Sequence, residues 1–403
     1  MTQQHTQAVR SYLRQFGRMN RNARLYLYSN ILSSITVGIF TLLYNLYLVS
    51  LGYQADFIGW LLAIGVAGGA VGIAASSPIL GRIGAKAALF WSSVVAGAMG
   101  ALQLIYPAAA CLLITSFLAG IAGGLYLIIG APLLAEGSTE SSRGHIFSLN
   151  AALALVTTVI GQALGGSLPT LASLPAVVHS PIYQAIQPAL VAGAKAQSYE
   201  LALLLAGLIA APSFLPIILM DPTPPAQREG TRQMGSWLTR QATGSKMRRA
   251  LLLRSTLSTA WAKGRKALRG PIGQLAVVEG LIGLGAGLFI PYFNLYFVQH
   301  LGVSTDLYGL ITAGSTLLMA LTTLAGPYFA AKLGKVRGTV IAHLASLPFL
   351  FTLGLTRALP LVLLAYLVRW SLMNMAEPVL LSFFMSIVPQ EQRATANSAY
   401  TLS

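Results

Sequence analysis

The chain has 403 residues, 55% hydrophobic and only 9% charged, with a mean hydropathy of +0.69. A soluble domain carries about 25% charged residues, so a water-soluble globule is excluded and lipid is the main solvent. A formal charge of +16 would suit a nucleic acid, but the basic residues track the parity of the loops between apolar spans, which excludes a nucleic-acid patch.

Residues 1–24 form a polar, basic N-terminus, too long for the charged leader of a cleaved signal peptide, so the first span is expected to act as a signal anchor. Apolar spans of about 20 residues follow at roughly 25–49, 57–80, 87–106, 108–130, 146–168, 200–220, 273–299, 307–330, 338–356 and 361–388. An all-α polytopic membrane protein is therefore expected. The spans are rich in glycine (Gly65, Gly68, Gly69, Gly72; Gly120, Gly123, Gly124), which allows close helix packing in lipid. Cys111 is the single cysteine, so no disulfide can form within the chain.

Two connectors are long. Residues 169–199 carry Pro169, Pro175, Pro181 and Pro188, which break any spanning helix and predict a compact loop or short surface helices. Residues 221–271 open with Asp221-Pro-Thr-Pro-Pro225 and then turn basic. There Ala250, Leu253, Leu257 and Trp261 share a helical face against Arg248, Arg249, Arg254 and Lys263. Residues 231–269 thus read either as a helix on anionic headgroups or as a solvated linker with scattered apolar residues. Of the 26 Lys and Arg, 23 fall on one side of the spans and two, Lys195 and Arg357, on the other, while Arg369 lies inside a span. The positive-inside rule then places the N-terminus and the 221–271 connector in the cytoplasm, with the spans in a plasma (bacterial inner) membrane.

Residues 38–59 (GIFTLLYNLYLVSLGYQADFIG) recur at 287–309 (GLFIPYFNLYFVQHLGVSTDLYG). The offset is 249 residues at Asn45/Asn294 and 250 at Asp56/Asp306, and it holds near 250 where GRIGAK (81–86) meets AKLGKVR (331–337). A repeat this long means two homologous halves, which in membrane proteins face each other across a solute path. The expected division is 25–220 for a six-helix half, 221–271 for a cytoplasmic connector and 272–403 for a second half. The first half ends near Met220, so a complete second half would end near residue 470. The second half is therefore expected to be incomplete, a fragment ending at the start of an eleventh helix.

Two six-helix halves, a long basic connector and these loop motifs resemble the major facilitator superfamily over the whole chain. Its loop signature, G-x-x-x-D-R-x-G-R-R, is matched at Arg82, Gly84 and Lys86, and echoed at Lys332, Gly334 and Lys335. Ser77 replaces the first Gly, while Gly81 and Ala331 replace the Asp. The resemblance implies that these loops latch the cytoplasmic gate, and the missing Asp implies a latch built differently. Gly161-Gln-Ala-Leu-Gly-Gly166 resembles the antiporter pattern G-P-x-x-G-G with Gln162 in place of Pro. Close helix packing explains these glycines almost as well.

Ionisable groups inside spans are costly and mark sites. Arg369 and Glu377 lie eight residues apart in the last span, about 80° apart around the helix, so both could face one cavity; Glu279 lies about two turns into the seventh span. Arg369 is the candidate for an anionic or polar substrate group, and Glu377 or Glu279 for proton exchange. A static Arg369–Glu377 pair is the competing reading. Tyr44, Asn45, Asn294 and Tyr296 add polar groups in spans that line the superfamily's central cavity, and Gln162 joins them as a substrate-binding candidate. Pro291 predicts a bend in the seventh span. The five histidines are scattered, which leaves no metal site, and no nucleotide-binding or hydrolase motif appears. No cofactor and no enzymatic activity are expected. The resulting expectation is a monomeric secondary active transporter of a small organic solute, proton-coupled and leaning to export. The alternative is a transporter-like sensor or assembly partner; a channel is disfavoured because no filter sequence is visible.

Overall fold

In lipid every backbone N–H and C=O must be bonded within its own segment, and every regular element among the described residues is a helix. The computed structural model describes residues 19–136, 143–222 and 271–375. The first helix, α1 (Arg21–Ser50), opens on Asn20, whose side-chain oxygen accepts the Ala23 N–H at 2.8 Å. The next helical stretch, Ala55–Ile105, has 51 residues. As one rod it would be about 76 Å long, far beyond the ~30 Å hydrocarbon layer. It breaks at Gly84 (φ 77°, ψ 166°) into α2 (55–83) and α3 (85–105). Helices α4 (Ala109–Glu136) and α5 (Arg143–Ala172) follow.

Pro169 does not break α5, which carries it within its last turn and ends at Ala172. From Pro175 the region forms the short pieces its prolines predict: α6 (Pro175–Val178), α7 (Pro181–Ile186) and a 3-10 turn (Gln187–Ala189). The sixth crossing is α8 (Ala194–Ala210), extended by a 3-10 turn into α9 (Phe214–Ile218). The seventh is broken, as Pro291 predicts. Here α10 (Pro271–Gly287) gives way to a 3-10 turn (Ile290–Tyr292), the single turn α11 (Phe293–Leu295) and a π turn (Tyr296–His300). Then come α12 (Thr305–Leu333), α13 (Lys335–Leu355) and α14 (Leu359–Met375). Among the described residues, eight helices are long and apolar enough to cross a membrane. The chain is an all-α multi-pass membrane protein.

The sequence repeat is also a backbone repeat. Gly302 and Gly334 lie 250 residues after Gly52 and Gly84, and all four hold positive φ (94°, 77°, 68° and 82° in chain order). Gly84 and Gly334 (ψ 150°) sit in the region that glycine alone occupies, which lets one residue reverse a helix into the next crossing.

Two compact units emerge. The first joins the described residues up to 222 with 292–320, and the second joins 271–291 with those from 321. In the first, α1 packs on α5 and α8, and α4 packs on the 55–105 stretch. Its core at the basic-loop end gathers Tyr26 and Leu27 (α1), Leu89 (α3), Ile129 and Leu133 (α4) and Ile217 (α9). At that end Arg21 pairs with Asp221 at 2.8 Å, Asn22 accepts the Asp221 N–H at 2.7 Å, and Lys86 donates to the Met220 carbonyl. The Lys86 loop is thus tied to the end of the sixth crossing, where no loop aspartate is available. In the second unit α13 packs on α14, with Ala342 and Met375 at its core.

Gly84→Ala should cost about 1–3 kcal/mol, because alanine is strained at this backbone geometry. Gly100→Ala, in open helix surface, should be neutral or slightly stabilising. Thermal midpoints in detergent check both, and equal midpoints would remove the strain assignment.

Candidate functional site

A line of contact joins α5, from the first repeat, to α12, from the second. At the rim, Thr170 Oγ1 donates to the Asp306 carboxylate at 2.8 Å. One turn deeper, Gly166 and Gly309 meet backbone to backbone. A Cβ on Gly309 would stand 2.7 Å from the Gln162 carbonyl and 2.8 Å from Gly166 Cα, and one on Gly166 would stand 2.9 Å from Gly309 Cα. Deeper still, Thr316 Oγ1 donates to Gln162 Oε1 at 3.0 Å. From Asp306 to Thr316 is ten residues, about 15 Å along a helix, or half the hydrocarbon thickness. The contact thus runs from the charge-poor end to about mid-membrane.

The broken seventh crossing closes the same end. The Asn294 amide donates to the Leu42 carbonyl of α1 at 3.2 Å, and its oxygen accepts the Leu295 N–H at 2.9 Å. Tyr292 OH donates to the Ala55 carbonyl at 3.2 Å. Interhelical hydrogen bonds in membranes contribute about 0.6 kcal/mol each on average. A few of them plus one glycine crossing make a contact of a few kcal/mol, the range over which two conformations both stay populated. By contrast, Gly38 and Gly161 lock α1 to α5 inside the first repeat, each against the other helix's backbone.

The second unit holds Arg369. It is 5% exposed, its guanidinium lies 4.5 Å from the Phe289 ring centroid, and its Nε has no hydrogen-bond partner. No ion pair to it is formed among the described residues. A cation–π contact contributes about 0.5–2 kcal/mol, less than burying a lone cation in lipid costs, so the Phe289 ring alone does not offset the burial of Arg369.

The other predicted positions fall in different surroundings. Asn294 and Gln162 come together at the contact between the repeats, each bonded to protein. Asn45 is 7% exposed in α1. Tyr44 stacks on Phe40 at 5.9 Å, and its hydroxyl is buried without a partner. Tyr296 stacks on His300 at 5.6 Å. Arg82 is exposed and Gly84 buried, while Lys332 lies 4.6 Å over the Tyr328 ring. Glu279 lies in α10, but its side chain and that of Lys335 are outside the described set, as are Glu377 and residues 231–269. One buried acid was not foreseen. Glu200, 2% exposed in α8, accepts the Val191 N–H at 2.8 Å. The hydropathy span drawn at 200–220 has Glu200 as its first residue, whereas the helix begins six residues earlier, at Ala194, and so carries the acid inside it.

This is a membrane protein built from a duplicated helical unit with a glycine-lined contact between the repeats at one end. The chain belongs to the Major Facilitator Superfamily, whose family model matches residues 27–403. Membership of this superfamily implies a transporter. Among solved structures it is similar to the nucleoside transporter NupG, with a TM-score of 0.63, 15% identity, and coverage of 95% of this chain and 87% of that one. A D-xylose-proton symporter aligns with a TM-score of 0.60 and 16% identity over 95% of this chain and 84% of that one. A bacterial homolog of the human lysosomal transporter Spinster, inward-facing and occupied, gives 0.63 and 15% over 94% and 77%. These likenesses carry the fold. No curated protein matches the chain by sequence.

Gly309→Val should force α5 and α12 apart at an overpacking cost of about 1–3 kcal/mol, which shifts the closed population about 5- to 150-fold. A cysteine at 316, in a Cys111→Ser background, should then react with a membrane-impermeant thiol reagent faster by that factor. An unchanged rate would show that the crossing does not seal this end.

Proposed function

We propose that the protein moves a small organic solute by alternating access, driven by proton flow, with export as its direction. The observation that carries this reading is the α5–α12 seam. It joins the two repeats, reaches about mid-membrane, and rests on contacts weak enough to break and re-form. The repeats 25–220 and 272–403 are the moving bodies, joined by the cytoplasmic connector 221–271. The loops at Arg82–Lys86 and Lys332–Lys335 act at the opposite end. The positive-inside distribution of Lys and Arg supports a cytoplasmic N-terminus in a plasma membrane, and the basic 231–269 segment supports contact with anionic headgroups.

Arg369 binds an anionic group of the solute. Its support is deep burial, an unbonded Nε and a flat aromatic partner, a setting that leaves the guanidinium short of negative charge. Glu377 exchanges the proton, with Glu279 as second carrier; an acid placed inside a span is costly enough to mark a function. Tyr44, Asn45 and Tyr296 offer polar contacts to the solute, while Gln162 and Asn294 act through the seam. The support for export is the antiporter-like run of glycines in α5, Gly161 to Gly166.

Three measurements in proteoliposomes test this reading, with proton flux recorded while a panel of small organic anions is offered. Oxidative cross-linking of Thr170→Cys with Asp306→Cys, in a Cys111→Ser background, should abolish flux, and a reductant should restore it. Equal flux from cross-linked and reduced protein would contradict alternating access and favour a non-transporting sensor. Arg369→Gln should lower flux at least about tenfold, the loss of one charge-assisted contact, while the protein stays monodisperse. Glu377→Gln should leave solute exchange intact but remove its dependence on pH; an unchanged pH profile would exclude Glu377 as the coupling group.

A further inference from the structure

The segment between α5 and α8 has a design that transport does not use. Residues 173–193 contain no Asp, Glu, Lys or Arg, which is unusual for a surface connector of this length. Yet its side chains are largely exposed: Leu174 44%, Val177 37%, Ile182 77% and Ile186 39%.

These four apolar residues are arranged in pairs. Leu174 and Val177 stand three apart at α6, and Ile182 and Ile186 stand four apart on α7, so each pair shares one helix face. Gln184 and Gln187 point to other faces of the same turn, about 140–200° from Ile182. Tyr183 points a third way: it is 7% exposed, and its hydroxyl donates to Gln197 Oε1 at 2.8 Å. The far end of the segment is pinned by Glu200, buried in α8, through the Val191 N–H. Ser180 caps α7 by accepting the Tyr183 N–H at 3.2 Å. The short helices are thus held to the bundle by Tyr183 and Glu200 while their aliphatic faces stay uncovered.

The neighbouring elements say what covers them. On α5, Ile160, Leu164 and Leu171 form one exposed aliphatic stripe (44%, 45% and 50%), and on α8 Leu205 and Leu208 are exposed at 43% and 69%. Both are membrane crossings, so these exposed side chains are available to lipid. The apolar faces of α6 and α7 continue that surface at the end of the crossings, and the absence of charge matches a burial depth where an ammonium or carboxylate would be costly. We propose that residues 173–193 are an interfacial element: α6 and α7 lie in the headgroup layer of the leaflet at the charge-poor end, with Ile182 and Ile186 inserted among acyl chains. Tyr183 and Glu200 are positioning residues that set its height against the bundle. The partner is the lipid surface itself.

Single nitroxide labels at Ile182→Cys, Ile186→Cys, Gln184→Cys and Gln187→Cys, in the Cys111→Ser chain, test this in phosphatidylcholine–phosphatidylglycerol vesicles. Collision rates with oxygen, which concentrates in lipid, and with a water-soluble nickel chelate are compared for each site. The expected result is several-fold oxygen preference at 182 and 186 and nickel preference at 184 and 187. Nickel access at all four sites would place the segment in water and overturn the proposal. Shielding of 182 and 186 from both reagents, with spin–spin broadening, would overturn it in favour of a second copy of this chain. A further variant, Glu200→Gln, keeps a hydrogen-bond acceptor and should preserve the pattern; Glu200→Ala should release the element and make the four sites alike. Retention of the contrast in Glu200→Ala would remove the positioning role.

Discussion

Helices in a bilayer gain little by leaving lipid for each other, since lipid tails are as apolar as leucine; they associate where backbones can approach closely. The Gly166–Gly309 crossing is such an approach between the two repeats, and the rest of the charge-poor end depends on it. Only with both side chains missing can α5 and α12 come near enough for Thr316 to reach Gln162 and Thr170 to reach Asp306. The hydrogen bonds add register more than strength. A seam of glycine contact and a few neutral donors suits an element that must come apart, whereas leucine interdigitation or buried ion pairs would hold it shut.

The break in the seventh crossing complements this seam. Pro291 cannot donate its backbone nitrogen, and the chain answers with a 3-10 turn, one α turn and a π turn between Ile290 and His300. The Asn294 side chain then reaches the Leu42 carbonyl, and Tyr292 the Ala55 carbonyl. The same stretch separates the two compact units at residues 291 and 292. Within the second unit, Phe289, just before the break, supplies the ring under Arg369. In sequence, Pro291 thus falls between Tyr292, which bonds to Ala55, and Phe289, the ring under Arg369.

Much of the architecture was legible because it follows from one-dimensional rules. Spans show as apolar runs, and the repeat shows as a constant offset that reappears in the positive-φ glycines at 52, 84, 302 and 334. Pro175, Pro181 and Pro188 announced short helices, whereas Pro169 is carried inside α5, and Pro291 announced a bend. Partners were not legible, because they depend on which faces meet. Gln162 read as a substituted motif position, yet its oxygen serves Thr316, 154 residues away. Asn294 read as a cavity group and is bonded to protein. Glu200 was missed because it falls on the first residue of the span drawn by hydropathy, while the helix itself begins at Ala194. Arg369 was found, since an ionisable residue inside an apolar run stands out in sequence; its Phe289 platform, 80 residues earlier, does not.

The central claim is that the seam opens and closes. The direct measurement is the distance distribution between nitroxides at Leu171→Cys on α5 and Leu310→Cys on α12, both exposed positions, by pulsed electron resonance on the Cys111→Ser chain in vesicles. Two populations are expected, one at the separation of the closed structure and one longer, exchanging weight when Gly309 is enlarged. A single short distance that ignores that substitution would contradict the account and leave the seam a permanent part of the fold.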